Sequence, residues 1–216
     1  MVFATIFDLD GTLVDTHRIF WTAQNNLLGP YGITFTPEDI KEYSGKSLAE
    51  NIQKWNEKFN LSLNEDEYHK SYIEEQIKLM KSEKPDSSLV KLLEELEDYG
   101  VPKGIGTSSG RKRAKKILKC SGLRRYFPIL VAEEDVHNHK PSPDVFLKVA
   151  NLLNVPPERC IVFEDSYNGA LAGRIAKMKV IGYLNKHNSP KDLIEAHTLI
   201  KSYSEVNYDT LLKMLE

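Results

Sequence analysis

The sequence predicts an α/β protein: a doubly wound parallel sheet with an α-helical cap-like domain inserted near its start. Three observations carry this. Apolar runs without polar alternation stop abruptly at chemically active residues, as at Val2-Phe3-Ala4-Thr5-Ile6-Phe7 before Asp8. Such runs suit strands buried on both faces of a parallel sheet. From Pro85 onward strand and helix patterns alternate, which implies strands joined by helical crossovers. Between about His17 and Lys81 the patterning is helical, with no convincing strand.

The elements follow in order. The first strand delivers Asp8-Leu9-Asp10-Gly11-Thr12-Leu13-Val14-Asp15, with Gly11 as the turn residue. In the insertion, Ile19, Phe20, Ala23 and Leu27 recur at helical spacing. Ser47 opens a second segment with Leu48, Ile52, Trp55 and Phe59 on related faces. Asn64 with Glu67 has the form of a capping box for a helix carrying Tyr68, Tyr72, Ile73, Ile77 and Met80. The aromatic residues of this small bundle are expected in its core. Beyond Pro85, a helix with Leu89, Leu92, Leu93 and Leu96 leads to a strand ending at Thr107. A basic helix and a strand over Ile129-Leu130-Val131-Ala132 come next. A helix after Pro143 carries Val145, Phe146, Val149 and Leu152, and a strand then ends at Glu164. A helix from Ser166, strands at Val180–Tyr183 and Thr198–Ile200, and a helix to Leu215 complete the pattern.

Ligands of open α/β sheets sit beyond the carboxyl ends of the strands, so the residues there are the candidates for chemistry. Asp8 and Asp10 stand two apart, and such positions on a strand face the same side. Two close carboxylates repel and need a cation or a shared proton. Magnesium, which accepts one or two carboxylates plus phosphate oxygens, is a suitable relief. One carboxylate can serve as nucleophile and the other as general acid and base. At the second strand end, Thr107-Ser108-Ser109-Gly110 can offer hydroxyl and backbone N–H groups to phosphate oxygens. Lys140 in Lys140-Pro141-Ser142-Pro143-Asp144-Val145-Phe146 is pinned before two prolines and can act as a point charge. The strand Cys160-Ile161-Val162-Phe163 ends in Glu164 and Asp165, a second acidic pair suited to a cation.

Acid pair, hydroxyl, lysine, acid pair, in that order along the chain, resembles the haloacid dehalogenase superfamily of phosphotransferases. The match rests on Asp8-x-Asp10-Gly11-Thr12, Thr107, Lys140 and Glu164-Asp165 and spans essentially the whole chain. The Lys-Pro-x-Pro-Asp-x-Phe and Glu-Asp-Ser-x-x-Gly forms are similar to the subgroup of β-phosphoglucomutase, phosphoglycolate phosphatase and small sugar-phosphate phosphatases. The resemblance implies a core of residues 1–16 and 82–216 and a helical cap over 17–81, hinged near 15–17 and 82–85 and closing over the site. It implies a magnesium-dependent phosphatase of small phosphorylated metabolites working through an aspartyl-phosphate. Asp8 would be the nucleophile and Asp10 the acid and base. Thr107 and Ser108 would hold phosphate, and Lys140 would offset charge. Asp8, the Asp10 carbonyl and Asp165 would hold Mg2+, with Glu164 a ligand directly or through water.

Thr16, Gly45, Lys46, Ser109 and Arg111 are the further candidates for substrate contact. Gly45, in Ser44-Gly45-Lys46-Ser47, matches the family's cap glycine, but Leu48 stands where β-phosphoglucomutase places an arginine. Three other departures leave the catalytic groups intact. Pro85-Asp86-Ser87 replaces a Pro-Gly-Val, and His139 and Lys177 occupy positions where glycines are common. The alternatives are a phosphosugar mutase and a phosphorylation-switch module such as a receiver domain. The latter keeps its phospho-accepting aspartate on a later strand and has no helical insertion.

Composition narrows the classes further. The 216 residues suffice for a sizeable core, and 41% hydrophobic with 28% charged content fits a globular protein. A net charge of −2 gives no bulk attraction to nucleic acid. The basic run from Arg111 through Lys119 with Arg124 and Arg125 is expected to be a solvated helix face that also draws in anions. His137 and His139 are expected to be ordinary loop histidines, since no third ligand is evident. Cys120 and Cys160 offer no disulfide or metal pattern, and a reduced, cytoplasmic setting is expected. The N-terminal apolar run is too short for a signal peptide, and no stretch reaches the ~18 apolar residues of a membrane span. A monomer is expected.

Overall fold

The computed structural model describes residues 3–36, 39, 43, 48–82 and 85–216. The chain divides into two compact units, one of Met1–Asp15 with Lys84–Glu216 and one of Thr16–Glu83.

The larger unit is built on a six-stranded sheet. Its strands are β1 (Ala4–Phe7), β2 (Lys103–Gly106), β3 (Ile129–Val131), β4 (Cys160–Glu164), β5 (Lys179–Tyr183) and β6 (Thr198–Ile200). Their order is β3-β2-β1-β4-β5-β6, and every neighbouring pair is parallel. The doubly wound parallel sheet expected from the sequence is therefore present. Chain order reverses direction across the sheet between β1 and β4, and a crevice opens at such a switch point. Both central strands are fully buried, which explains why they show no polar alternation.

The helices are α4 (Ser87–Asp98), α5 (Arg111–Cys120), α6 (Asp144–Leu153), α7 (Tyr167–Ile175) and α8 (Tyr208–Lys213), numbered after the three of the other unit. One core layer joins Ala4, Ile6, Val162 and Val180 to Val145, Phe146 and Val149 of α6. Helix α6 comes so close to β2 that a Cβ at Gly104 would press on Val149, and one at Gly106 on Phe146. The glycines of Lys103-Gly104-Ile105-Gly106 thus admit the helix that follows the Lys140 segment. Phe7 and Phe163 stack with ring centroids 4.5 Å apart and 4° between planes, welding β1 to β4 just below the site. Asp86 caps α4, its Oδ1 accepting from Ser88 N at 2.7 Å and Leu89 N at 3.2 Å, which accounts for the departure at Pro85-Asp86-Ser87. At Lys177 the backbone is left-handed, with φ 59°. A lysine therefore bears the conformation that glycine would adopt without cost.

The smaller unit is helical, with α1 (Thr16–Leu28), α2 (Leu48–Phe59) and α3 (Glu65–Ser82). Trp21, Phe35, Tyr43, Ile52, Trp55, Tyr68 and Tyr72 form its core, as expected of its aromatic residues. Phe35 and Trp55 lie 5.3 Å apart at the centre. Two asparagines tie loops to helices through paired backbone bonds. Asn25 grips Phe35 at 2.8 and 3.2 Å, and Asn56 grips Leu63 at 2.9 and 3.1 Å. Asn64 caps α3, accepting from Glu67 N at 3.1 Å. Among the described residues no helix is long and apolar enough to cross a membrane.

Candidate active site

The site forms at the carboxyl ends of β1, β2 and β4. Strand β1 stops at Phe7, so Asp8 and Asp10 already belong to the turn beyond it. Asp8 N donates to Phe163 O at 2.9 Å, continuing the ladder toward β4. Asp10 is turned away from the partners of Asp8. Its Oδ2 accepts from Ser109 Oγ at 2.5 Å, and its Oδ1 lies 2.7 Å from Arg113 Nη1. The two carboxylates lie close enough to interact, yet each has its own cation.

Lys140 reaches the centre of the acid cluster. Its Nζ lies 2.6 Å from Asp8 Oδ1 and 2.8 Å from Glu164 Oε1. The side chain is only 6% exposed and rests 4.6 Å above the Phe146 ring. That ring is the phenylalanine of the Lys-Pro-x-Pro-Asp-x-Phe segment, placed by the first turn of α6. Glu164 is fully engaged: its other oxygen accepts from Ser166 N at 2.7 Å and Ser166 Oγ at 2.9 Å. A Cβ at Gly169 would overlap this carboxylate, so the glycine of Glu-Asp-Ser-x-x-Gly makes room for it.

Asp165 is held from two sides. Thr12 Oγ1 donates to its Oδ1 at 3.1 Å, and Asn185 Nδ2 donates to its Oδ2 at 2.8 Å. Gly11 lies directly against it with φ 81°, and a Cβ there would overlap Asp165 Oδ2. The turn itself is anchored by Tyr203, whose hydroxyl donates to Thr12 O at 3.0 Å. Thr107 is buried, and its Oγ1 accepts from Ser109 N at 3.0 Å. Ser108 is exposed beside it.

Some candidates are placed elsewhere. The Arg111 guanidinium is paired with Asp135, and its backbone N–H donates to Glu134, so Arg111 faces the loop after β3. Arg113, two residues on, is the arginine that meets Asp10. Thr16 opens α1 in the helical unit and is buried. Gly45 and Lys46 lie outside the described residues. Sequence reasoning missed Arg113, Asn185 and the role of Thr12. Nothing local separates Arg113 from Arg111, since both stand in the first turn of α5, and nothing local marks Asn185.

Electrostatics define what the cluster can accept. Burial pushes the Asp8 carboxyl well above its usual range; Lys140 opposes this, while Glu164, Asp165 and Asp10 reinforce it. Burial, then the Glu164 charge, pushes Asp165 up to about 7, against the hydrogen bonds from Thr12 and Asn185. Burial alone would lower the Lys140 ammonium, but Asp8 and then Glu164 more than compensate and hold it above the ordinary lysine range. Four carboxylates thus share two cations, Lys140 and Arg113. An all-oxygen, electron-rich cradle of this kind fits a hard divalent ion. Among the described residues no three His, Cys, Asp or Glu side chains form a ready-made cage. Magnesium does not require one, because it retains waters and takes substrate oxygens.

An acidic cradle with a buried lysine, at the switch point of a six-stranded parallel sheet, defines a phosphoryl-transfer type of site. The chain belongs to the haloacid dehalogenase-like hydrolases, whose family profile matches residues 5–183. It is similar to a phosphorylated carbohydrates phosphatase of Thermotoga maritima, 29% identical over 195 residues, covering 89% of this chain and 90% of the relative. It is also similar to a fructose-1-phosphate phosphatase of Escherichia coli, 32% identical over 187 residues, covering 82% and 93%. Among solved structures, a candidate β-phosphoglucomutase of Thermotoga maritima matches with a TM-score of 0.84 at 28% identity, covering 100% of this chain and 98% of that one. The family resemblance drawn from the motifs is thereby borne out.

Proposed function

We propose that this protein is a magnesium-dependent phosphatase of small phosphorylated metabolites that works through an aspartyl-phosphate on Asp8. The observation that carries the reading is the buried contact between Asp8 and Lys140, 2.6 Å apart, set among three further carboxylates. The named activities of the similar proteins, on phosphorylated carbohydrates and fructose 1-phosphate, support the substrate class.

Each chain residue has a task in this mechanism. Asp8 attacks phosphorus; a bond forms from its carboxylate oxygen, and the bond from phosphorus to the leaving oxygen breaks. Asp10 gives that oxygen a proton as it departs. Asp10 then takes a proton from water, whose oxygen attacks phosphorus and breaks the bond to Asp8, releasing inorganic phosphate. Lys140 stays protonated, orients Asp8 and neutralises charge gathering on the phosphoryl oxygens. The Thr107 hydroxyl and the backbone beside exposed Ser108 take phosphate oxygens, and Ser109 and Arg113 hold Asp10 in place. Asp8, Asp165 and the main-chain carbonyl of Asp10 would hold Mg2+, which when bound screens phosphoryl charge and permits an anionic nucleophile to approach an anion. Glu164, with both oxygens engaged, holds Lys140 and the start of α7. The helical unit is the part assigned to substrate selection, with Thr16, Gly45 and Lys46 as its candidate contacts.

A mutase is the second reading, favoured by the likeness to the candidate β-phosphoglucomutase. It differs in returning the phosphoryl group to a sugar and in needing a bisphosphate activator. One assay tests both: phosphate release from sugar phosphates, phosphoglycolate and nucleoside monophosphates with magnesium present, beside Asp8→Asn. Release that disappears in folded Asp8→Asn is expected. Turnover retained by Asp8→Asn would overturn the aspartyl-phosphate, and sugar-phosphate isomerisation that depends on bisphosphate would replace the phosphatase with the mutase.

A further inference from the structure

The loop after β5, residues 184–189, lies outside the segment matched by the family profile, yet it supplies two hydrogen bonds to Asp165, one to its carboxylate and one to its main-chain oxygen. Asn185 N donates to Asn188 Oδ1 at 3.1 Å. Asn188 Nδ2 donates to Asp165 O at 2.7 Å and Tyr183 O at 2.9 Å, tying the loop to the backbone under the site. His187 adds a further tie, its Nε2 lying 3.0 Å from Asp15 Oδ1.

The orientation of the Asn185 amide is set by its neighbours. His187 N donates to Asn185 Oδ1 at 2.7 Å, so that end must be the oxygen. The NH2 end then points inward, 2.8 Å from Asp165 Oδ2 and 3.0 Å from Gly11 O. Both its hydrogens are used, one on the acid and one on the catalytic turn. With Thr12 on Oδ1 and Gly11 against the carboxylate, Asp165 is fixed in rotation as well as in place.

We infer that Asn185 is a positioning residue: it locks the Asp165 carboxylate and the Gly11 turn in the arrangement that receives the divalent cation. The inference rests on the metal role proposed for Asp165. The chemistry suits the task, because a neutral amide donates to the ionised carboxylate without adding a cation that would compete with the metal. A lysine or arginine here would neutralise the ligand it was meant to hold. Partners that orient metal ligands commonly contribute roughly 10–100-fold in metal affinity.

The test is calorimetric titration of magnesium into metal-free parent, Asn185→Leu and Asn185→Ala, with melting temperatures showing that each is folded. Parent protein is expected to bind, and both variants to bind roughly 10–100-fold more weakly. Phosphate release by the variants is expected to recover toward the parent kcat at saturating magnesium, which a merely structural defect would not allow. Variants with parental magnesium affinity, or with turnover that excess magnesium leaves depressed, would overturn the role of Asn185. A parent that takes up no magnesium would overturn the metal reading itself, and the inference with it.

Discussion

Lys140 Nζ lies 2.6 Å from Asp8 Oδ1 across 132 positions of chain, and Glu164 holds the same ammonium at 2.8 Å. All three groups are withdrawn from water, so their charges balance only as a set. Removing one partner of a buried pair commonly costs about 3–5 kcal/mol, because the other charge stays buried alone. Lys140→Ala is therefore expected to lose turnover and about that much stability. The loss should be smaller at acid pH, where the two carboxylates can take up protons. Urea unfolding at two pH values measures it; parental stability at neutral pH would show that the acids do not rely on Lys140. Lys140→Arg should not restore turnover, since a planar fork cannot replace a compact ammonium between two oxygens.

Gly11 is needed for two independent reasons: its φ is 81°, and the space of a Cβ is filled by Asp165. Gly11→Ala is expected to cost about 1–3 kcal/mol in backbone strain. It should also displace Asp165 and lower kcat/KM by roughly 10-fold or more. Steady-state kinetics alongside thermal melting separate the two effects, and an active, fully stable alanine variant would contradict both.

Asp165 is pushed up to about 7 in the metal-free protein, above its value of 3.8 when exposed. A raised acid contributes stability that is complete below the exposed value and is lost as pH rises through 7. A divalent ion binds the ionised form and repays that loss. The increase in melting temperature on adding magnesium over EDTA should thus be small near about pH 5.5 and grow through pH 7 to about pH 8.5. A pH-independent increment would mean that Asp165 is already ionised at the lower pH.

Lys177 holds φ 59° just after α7, a conformation that an L side chain adopts at a cost. Lys177→Gly removes that cost while giving the unfolded chain more freedom, and a net gain of about 0.5–1 kcal/mol is expected. Differential scanning calorimetry should show a melting temperature about 1–4 °C higher. A decrease would indicate that the lysine side chain contributes packing that outweighs the strain.

The parts of the site that could be foreseen are those carried by short segments. Asp8, Thr107 and Asp165 each directly follow a buried strand, and Phe146 stands at a fixed offset from Lys140. Glu164 was equally visible as a strand-end acid, but its saturation by Lys140 and Ser166 was not. Arg111 and Arg113 differ only in which way their side chains leave the first turn of α5. That choice was made by Asp135 and Asp10, residues 24 and 103 positions away. The insertion was legible as helical because its apolar spacing changes character after Asp15, and its aromatic residues, exposed Tyr31 apart, pack in or against its own core.

Residue chemistry and local periodicity are carried by single side chains and by neighbours within a few positions. The chain therefore already specified its strands, its helices and the acids, hydroxyl and lysine that could act together. The order β3-β2-β1-β4-β5-β6 is a long-range packing outcome. So are the division of cations between Asp8 and Asp10 and the amide of Asn185 against Asp165, 20 residues earlier. Such contacts arise only when sheet and helices bury their apolar faces together, because charge pairing in a dry crevice depends on which strand ends are brought side by side.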